Sequence, residues 1–297
     1  MSPRPAILSV LVCLGLAPPA SPQTPIFLDG FESGNTLAWS LSVGEPPLLP
    51  ATVLRISDLD LRDPHVFAPV PVVGCWDFTD QALPFGLGPS FNEQLATSIT
   101  TDGDGDTFLD LSLLHQFRPY DALAASLRLD VGQGLCTAPV AGTNCAPDPS
   151  FIPRTTVYDG FSAGPCLGAL AGTTSGYTPA VATIAPPCFV SQPAHHSLPT
   201  GTLILPLRGL QLSATLGATP GDPFPAGLLR GFLRESDAAG VLLPAELPIV
   251  GGQPITVLLP GGQGSCAAGD DRDLFEGVSG WWFYLAYTAE PVPWAGS

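Results

Sequence analysis

Apolar and polar residues alternate along many short stretches of this chain. The alternation is clearest in residues 53–61, 66–73, 109–113 and 203–216, and it ends in the aromatic stretch 281–287. Successive side chains of a strand point to opposite faces, so a period of two predicts strands with one buried face. The 33 glycines and 35 prolines between these stretches favour turns over helices. We therefore predict a mainly β fold, a β-sandwich or jelly-roll-like fold with long loops.

One stretch departs from this alternation. Leu228, Leu229, Phe232 and Leu233 recur at the spacing of a helix, with charged residues on the remaining faces. Side chains three and four positions apart share one side of an α-helix. The spacing predicts a short helix near residues 226–236.

The first twenty residues have a different character. Arg4 precedes an apolar run, residues 6–17, which ends in small residues and prolines. A run of about a dozen apolar residues after one positive charge is typical of a secretory signal peptide, whereas a membrane-spanning helix needs about 20. We predict a signal peptide over 1–20, an N-terminal arm over 21–45 and one β domain over 46–297. The strands of this domain form either one sheet or two sheets that share a core. We expect the mature protein to reside in the periplasm or outside the cell.

Six of the seven cysteines follow the predicted signal peptide. An even set in an exported chain predicts three disulfides, because such compartments are oxidising. Six cysteines allow 15 pairings. Closeness in sequence favours two local bridges and leaves one long-range bridge: Cys136 with Cys145, Cys166 with Cys188, and Cys75 with Cys266.

The charge balance narrows the set of partners. The chain has 26 acidic residues against 10 basic ones and a net charge of −16. Nucleic acids and anionic membrane surfaces are recognised by basic patches, so neither is an expected partner. Apolar residues make up 45% of the chain, which is enough to build a core.

The most specific chemical signal is a loop rich in aspartate. Asp102, Asp104, Asp106 and Asp110 occupy positions one, three, five and nine of this loop, and glycines between them let the backbone bend tightly. The backbone carbonyl of Phe108, at position seven, adds another oxygen. Hard oxygen ligands in this number suit Ca²⁺, so we predict a calcium site made of these five residues. An acidic turn exposed to solvent is the alternative.

The aspartate loop resembles known calcium loops. Its spacing is similar to the Asp-x-Asp-x-Asp-Gly-x-x-Asp loops of thrombospondin type 3 and FG-GAP-like repeats. It departs from them at Thr107, where glycine is usual, and Leu113 stands where an EF-hand has glutamate. The resemblance implies calcium binding of a structural kind, in a geometry other than the EF-hand.

A second resemblance lies at the start of the predicted mature chain. Residues 27–34 read Phe-Leu-Asp-Gly-Phe-Glu-Ser-Gly and are followed by Trp39. This string resembles a segment found just after the signal peptide of many secreted bacterial proteins. The resemblance implies a bacterial, secreted chain but brings no activity with it.

The aromatic stretch 281–287 suggests one ligand-binding surface. On a strand, Trp282 and Tyr284 point to the same face. If that face is exposed, the two rings are placed to stack on a sugar; core packing is the alternative.

No His-Glu-x-x-His zinc motif or phosphate-binding glycine loop is present, and the sequence identifies no catalytic residue. We interpret the chain as a secreted calcium-binding protein, a non-catalytic binding or surface module whose partner is a glycan or a cell-surface component. The alternative is a secreted polysaccharide-active hydrolase or lyase that uses a carboxylate pair the sequence does not identify. A purely structural matrix component is a third possibility.

Overall fold

The computed structural model describes most of the predicted β domain. The predicted signal peptide and the predicted arm lie outside the described residues, which are 51–121, 127–150, 154–162, 165–201, 203–219 and 221–296.

Thirteen strands and two α-helices occur in this part of the chain. In order they are β1 (Thr52–Asp63), β2 (Phe67–Val70), β3 (Gly74–Asp77), α1 (Phe91–Thr100), β4 (Leu113–Arg118), β5 (Leu127–Cys136), β6 (Cys145–Pro147), β7 (Arg154–Ser162), β8 (Cys188–Ser191), β9 (Ala194–Thr200), β10 (Leu203–Thr215), β11 (Phe224–Arg234), α2 (Glu235–Ala238), β12 (Asp273–Phe275) and β13 (Val278–Pro291). Short 3₁₀ turns lie at Pro84–Gly86 and Ile255–Leu258. Neither of the two α-helices is long and apolar enough to cross a membrane.

Eight of the strands form one closed antiparallel barrel. Their order around it is β1, β4, β5, β7, β8, β10, β11 and β13, and β13 pairs back with β1. The prediction of a β-sandwich or jelly-roll-like fold is therefore wrong. Alternation shows that a strand buries one face, but not whether its sheet covers a second sheet or curls onto itself. The pairing of β1 with β13 closes the sheet into a barrel, and the local pattern of apolar residues does not predict a pairing between strands so far apart in sequence.

The strands of the barrel enclose an aromatic core. Phe117 on β4 lies at its centre, fully buried, with the rings of Tyr158, Phe189 and Phe224 at centroid distances of 5.0, 5.2 and 5.8 Å. These residues come from β7, β8 and β11. The rings meet nearly edge to face, which is the arrangement that the aromatic quadrupole favours. The core therefore joins strands on several sides of the barrel.

The predicted helix near residues 226–236 is also wrong, because these residues form β11. Leu229 and Leu233 face the main core, whereas Leu228 and Phe232 face a second apolar cluster on the outside of the barrel. A strand that is buried on both faces has no polar alternation, and consecutive leucines then imitate helical spacing. Only the four residues of α2 that follow it, Glu235–Ala238, are helical.

Helix α1 begins at a capping box. The Ser90 hydroxyl accepts the N–H of Glu93 at 3.1 Å, and the Glu93 carboxylate accepts the N–H of Ser90 at 2.8 Å. This reciprocal pair satisfies donors that the first turn of a helix leaves free. A serine followed three residues later by glutamate is thus the sequence signal for α1.

Helix α1 covers the part of β1 that β4 does not pair. The pairing of β4 ends at Arg55, and beyond it the Asn92 amide bonds both the N–H and the carbonyl of Leu61, at 2.8 and 3.1 Å. Arg55 is buried and donates to the carbonyl of Ile99, in the last turn of α1, at 3.1 Å. Side chains thus satisfy a strand edge that is otherwise unpaired, and they hold both ends of the helix on the barrel.

The three predicted disulfides are present with the pairing that sequence proximity favoured. Cys136–Cys145 joins β5 to β6, and Cys166–Cys188 ties the loop after β7 to β8. Cys75–Cys266 links β3 to the segment before β12, across 191 residues. The long-range bridge therefore connects the first quarter of the described chain to its last.

Candidate metal centre

The aspartate loop joins α1 to β4 and is held at both sides. The N–H of Asp110 donates to the carbonyl of Thr101, the residue after α1, at 3.0 Å. The N–H of Leu109 donates to the carbonyl of Cys136 at 2.9 Å. Because Cys136 belongs to a disulfide and α1 is bonded to β1, the loop stands between two well-anchored parts of the fold.

Three of the five predicted ligands converge. Asp102, Asp104 and Asp106 offer carboxylate oxygens that all lie within 4.8 Å of one another. Asp102 is oriented by the backbone: its Oδ1 accepts the N–H of Gly105 at 2.7 Å, and its Oδ2 accepts the N–H of Thr107 at 2.9 Å. Positive φ angles at these two residues, 80° and 78°, wrap the chain around that carboxylate.

The other two predicted ligands take part in the same loop through hydrogen bonds. Asp110 accepts the N–H of Gly103 at 2.8 Å, and a Cβ on Gly103 would stand only 2.7 Å from the other Asp110 oxygen. Phe108 donates its N–H to Asp106 Oδ1 at 2.8 Å. A larger residue at position two would therefore displace the Asp110 side chain, whose hydrogen bond joins the end of the loop to its first half.

The loop concentrates negative charge on the surface. Asp102 is half-buried and the other three aspartates are exposed, and the ion pairs found in the described residues use other acidic side chains. Two like charges at such distances repel by about 1 kcal/mol in a water-like dielectric. A divalent cation at the centre would reverse the sign of this energy.

A second acidic cluster joins two sequence segments that lie far apart. Asp63, at the end of β1, is buried and accepts the N–H of Ser175 at 2.9 Å. Burial, together with the nearby charges of Asp271 and Asp273, raises the pKa of the Asp63 carboxyl to about 6. Nothing in the sequence connects these residues, because the barrel alone brings them together.

An aspartate–histidine pair lies beside this cluster. His65 Nδ1 and Asp77 Oδ2 are 2.6 Å apart. Burial raises the pKa of the Asp77 carboxyl, but hydrogen bonds from His65 and Thr79 lower it by more, so the net shift is downward. The His65 ring stacks on Tyr177 at 3.8 Å, and the Tyr177 hydroxyl donates to Asp271 at 2.6 Å. His65 Nε2 is buried without a described hydrogen-bond partner, so no described nucleophile completes a catalytic triad here.

Residues 160–164 read Gly-Phe-Ser-Ala-Gly, which matches the Gly-x-Ser-x-Gly pattern of serine hydrolases. That pattern carries chemistry when the serine stands on a sharp turn from a strand into a helix. Ser162 is instead the last residue of β7, where it pairs with Cys188 of β8, and no helix follows it in the described residues up to β8. In the described residues, the pattern therefore lies on a strand and not at a turn from a strand into a helix.

Trp282 and Tyr284, suggested for sugar stacking, are both buried, which agrees with the alternative of core packing. Trp282 is 5% exposed and packs against Phe232 and Phe275, at centroid distances of 5.4 and 4.9 Å. Tyr284 is fully buried, and its hydroxyl accepts the N–H of Leu170 at 3.0 Å. The loop tethered by Cys166–Cys188 covers this face of β13. A long loop that folds back over a sheet is invisible to the alternation of side chains.

Comparison with known proteins returns no relative. No family model matches the chain, and neither the curated proteins nor the solved structures contain a significant match. Inferences about function therefore rest on the residues and their geometry.

The positive φ at Thr107 provides a first test of the loop. A β-branched residue is strained in the left-handed region, whereas glycine is not. We expect Thr107→Gly to raise the free energy of unfolding by about 1 kcal/mol, measured by urea denaturation. Thr97→Gly, in the middle of α1, should lower it. A loss of stability in Thr107→Gly would contradict the loop conformation.

The raised pKa of Asp63 predicts a pH dependence of stability. Because its pKa is higher in the folded than in the unfolded chain, the folded state binds more protons between pH 4 and 6, and its stability falls as the pH rises through this window. Asparagine keeps the hydrogen bond to Ser175 but carries no charge. Between pH 4 and pH 7.5, urea unfolding should show Asp63→Asn gaining on the order of 2 kcal/mol relative to the wild type.

Asp58→Asn is the matched control, since Asp58 is exposed on the same strand. Its stability relative to the wild type should vary little with pH. If the free energy of unfolding of Asp63→Asn changes with pH in the same way as that of the wild type, the environment of Asp63 does not destabilise the charged carboxylate.

Proposed function

We propose that this chain is a secreted calcium-binding protein whose disulfide-linked barrel serves as a non-catalytic binding or surface module, either periplasmic or extracellular. The observation that carries the proposal is the convergence of Asp102, Asp104 and Asp106 within 4.8 Å. Their resemblance in spacing to known calcium loops supports the choice of ion.

The chemistry of the loop favours calcium over other cations. All its side-chain donors are carboxylate oxygens, which suit hard cations, whereas zinc and copper sites use histidine and cysteine. The loop is on the surface, where a flexible set of oxygens and water molecules can complete a coordination number of six to eight. Magnesium demands a tighter octahedral arrangement and sheds its water reluctantly.

The disulfides support the proposed location. Disulfides persist in oxidising compartments and are rare in the cytosol. Three bridges among the described residues, together with the predicted signal peptide, agree with export from the cell.

The proposal assigns calcium a structural role. The loop connects α1 to β4, and α1 in turn covers the unpaired edge of β1. An ion that binds the folded loop and not the unfolded chain stabilises the fold by mass action, by about 1.4 kcal/mol at ten times the dissociation constant.

In the part of the chain that the structure describes, no observation favours the alternative of a polysaccharide-active hydrolase or lyase. Such an enzyme needs two carboxylates that face each other across a cleft. Glu93 belongs to the cap of α1, and Glu235 pairs with Arg272 at 3.2 Å. The burial of Trp282 and Tyr284 likewise removes the surface on which a glycan partner was predicted.

Calcium addition to chelator-treated protein should raise the midpoint of thermal unfolding. At ten times the dissociation constant, the expected rise is roughly 3–6 °C for a domain of this size. Asp104→Asn keeps the oxygen that accepts the N–H of Asp106 but removes one charge from the cluster. In this variant the calcium-dependent rise should be largely lost, with little change of the midpoint in chelator.

Asp148→Asn is the control, because Asp148 is a half-buried aspartate outside the loop, bonded to Ser150. It should retain the full response to calcium. An unfolding midpoint that is identical in calcium and in chelator, together with no heat of binding in a calorimetric titration, would refute the metal site.

A further inference from the structure

A cavity of about 340 Å³ lies beside the barrel, between α1, the turn around residues 83–89 and the segment 243–250. Its volume is within the range of small-molecule sites, near the lower end. Phe91 and Leu95 of α1 form one wall, and Leu83, Leu243 and Leu247 form part of the others. The cavity opens to solvent on one side, and most of its lining residues are apolar. A concave apolar surface with a few polar groups is the usual form of a small-molecule site.

The walls of the cavity are preformed. The turn closes on itself through the N–H of Leu83, which donates to the carbonyl of Gly88 at 2.9 Å. In the opposite segment, the N–H of Leu243 donates to the carbonyl of Gln253 at 2.8 Å. Three prolines, at positions 89, 244 and 248, further restrict the backbone of the walls. The lining is therefore held by the backbone and does not need a ligand to assemble it.

Among the described residues, no charged side chain lines the cavity, although the chain has 26 acidic residues. A carboxylate or phosphate ligand would find no basic partner in it, and a cationic ligand would find no acid. Burying an unpaired charge against apolar walls is strongly unfavourable. The ligand must therefore be neutral.

Two hydroxyl groups of the cavity offer acceptors. The Ser98 hydroxyl donates its proton to the carbonyl of Gln94 at 3.0 Å, and the Thr200 hydroxyl directs its proton to the carbonyl of Leu203 at 3.4 Å. Their oxygen lone pairs can still accept. The two residues lie close together, since a Cβ on Gly201, the neighbour of Thr200, would stand 3.1 Å from Ser98 Oγ. A ligand would therefore place a hydrogen-bond donor near these two hydroxyls.

We propose that this cavity binds a small, neutral, mainly aliphatic molecule that carries one hydroxyl or other hydrogen-bond donor. The apolar part lies against the leucine side chains, and the donor meets the hydroxyl oxygens at the end near Ser98. The inference rests on the proposed function only in treating the protein as a binding module, and it does not require the calcium ion.

The test uses displacement of N-phenyl-1-naphthylamine, a neutral apolar fluorophore with one N–H donor, from the full-length protein in calcium. We expect saturable binding at one site and displacement by 1-decanol. Decanoate and decylammonium have the same chain but carry a charge, and each should compete at least tenfold less well. 1-Methoxynonane has the same number of heavy atoms without a donor and should compete about fivefold less well than 1-decanol.

Leu247→Trp tests the location, because Leu247 is a half-buried lining residue and a larger ring there fills the space. It should weaken binding of the fluorophore at least tenfold. The matched control is Leu242→Trp, which places the same ring at a position that is 60% exposed and outside the cavity. Its affinity should equal that of the wild type.

Ser98→Ala is a second variant, in case Leu247→Trp loses its cooperative unfolding. It should reduce the fivefold difference in competition between 1-decanol and 1-methoxynonane. Absence of saturable binding, equal binding to a folded Leu247→Trp protein, or equal competition by decanoate would overturn the proposal. Fluorophore displacement tests the cavity, and the calcium-dependent melt tests the metal site. Because the two measurements are separate, one proposal can fail while the other is still tested.

Discussion

The pairing of β1 with β13 is the interaction on which the rest of the structure depends. The two strands run antiparallel from Leu54 opposite Pro291 to Asp63 opposite Tyr284. Separated, they would present two exposed edges and open the apolar core to water. Paired, they turn the sheet into a barrel, and closure removes the edges at which sheets associate with other chains. The register slips at two places along β1, and such irregularities let strands bend around a closed core.

Closure also determines where the candidate sites lie. β1 is longer than its partner β4, so part of its edge is left for α1, which Asn92 and Arg55 bind to the barrel. The same helix carries the aspartate loop at its carboxyl end and forms one wall of the cavity along its side. The candidate metal centre and the proposed ligand cavity thus share one structural element.

The sequence predicted those features that depend on neighbouring residues. Alternation identified β1, because Leu59 and Leu61 are buried whereas Asp58 and Asp60 between and before them are not. Short spacing identified two of the disulfides. The glycines at 103 and 105 indicated the bend that gathers the aspartates, and Gly105 adopts the positive φ angle that this bend uses. The Ser90 and Glu93 pair would have identified α1 as well, since a capping box is a local signal.

Features that depend on distant residues could not be predicted from the sequence. β11 imitates a helix because both of its faces are covered, one of them by the cluster around Trp282. The same cluster also buries Tyr284. Alternation along a strand therefore cannot show whether the face turned away from the main core is exposed or packs against a second cluster. The meeting of Asp63 with Asp271 and the apolar cavity both arise from how segments pack once the barrel has closed.

Nuclear Overhauser effects between β1 and β13 test this closure most directly. In an antiparallel pair, facing backbone protons lie close enough to give strong cross-peaks. The account predicts inter-strand cross-peaks between Leu59 and Tyr287 and between Leu61 and Leu285, alongside those from β13 to β11. If β13 shows cross-peaks to β11 but none to β1, the sheet is open and the barrel is wrong.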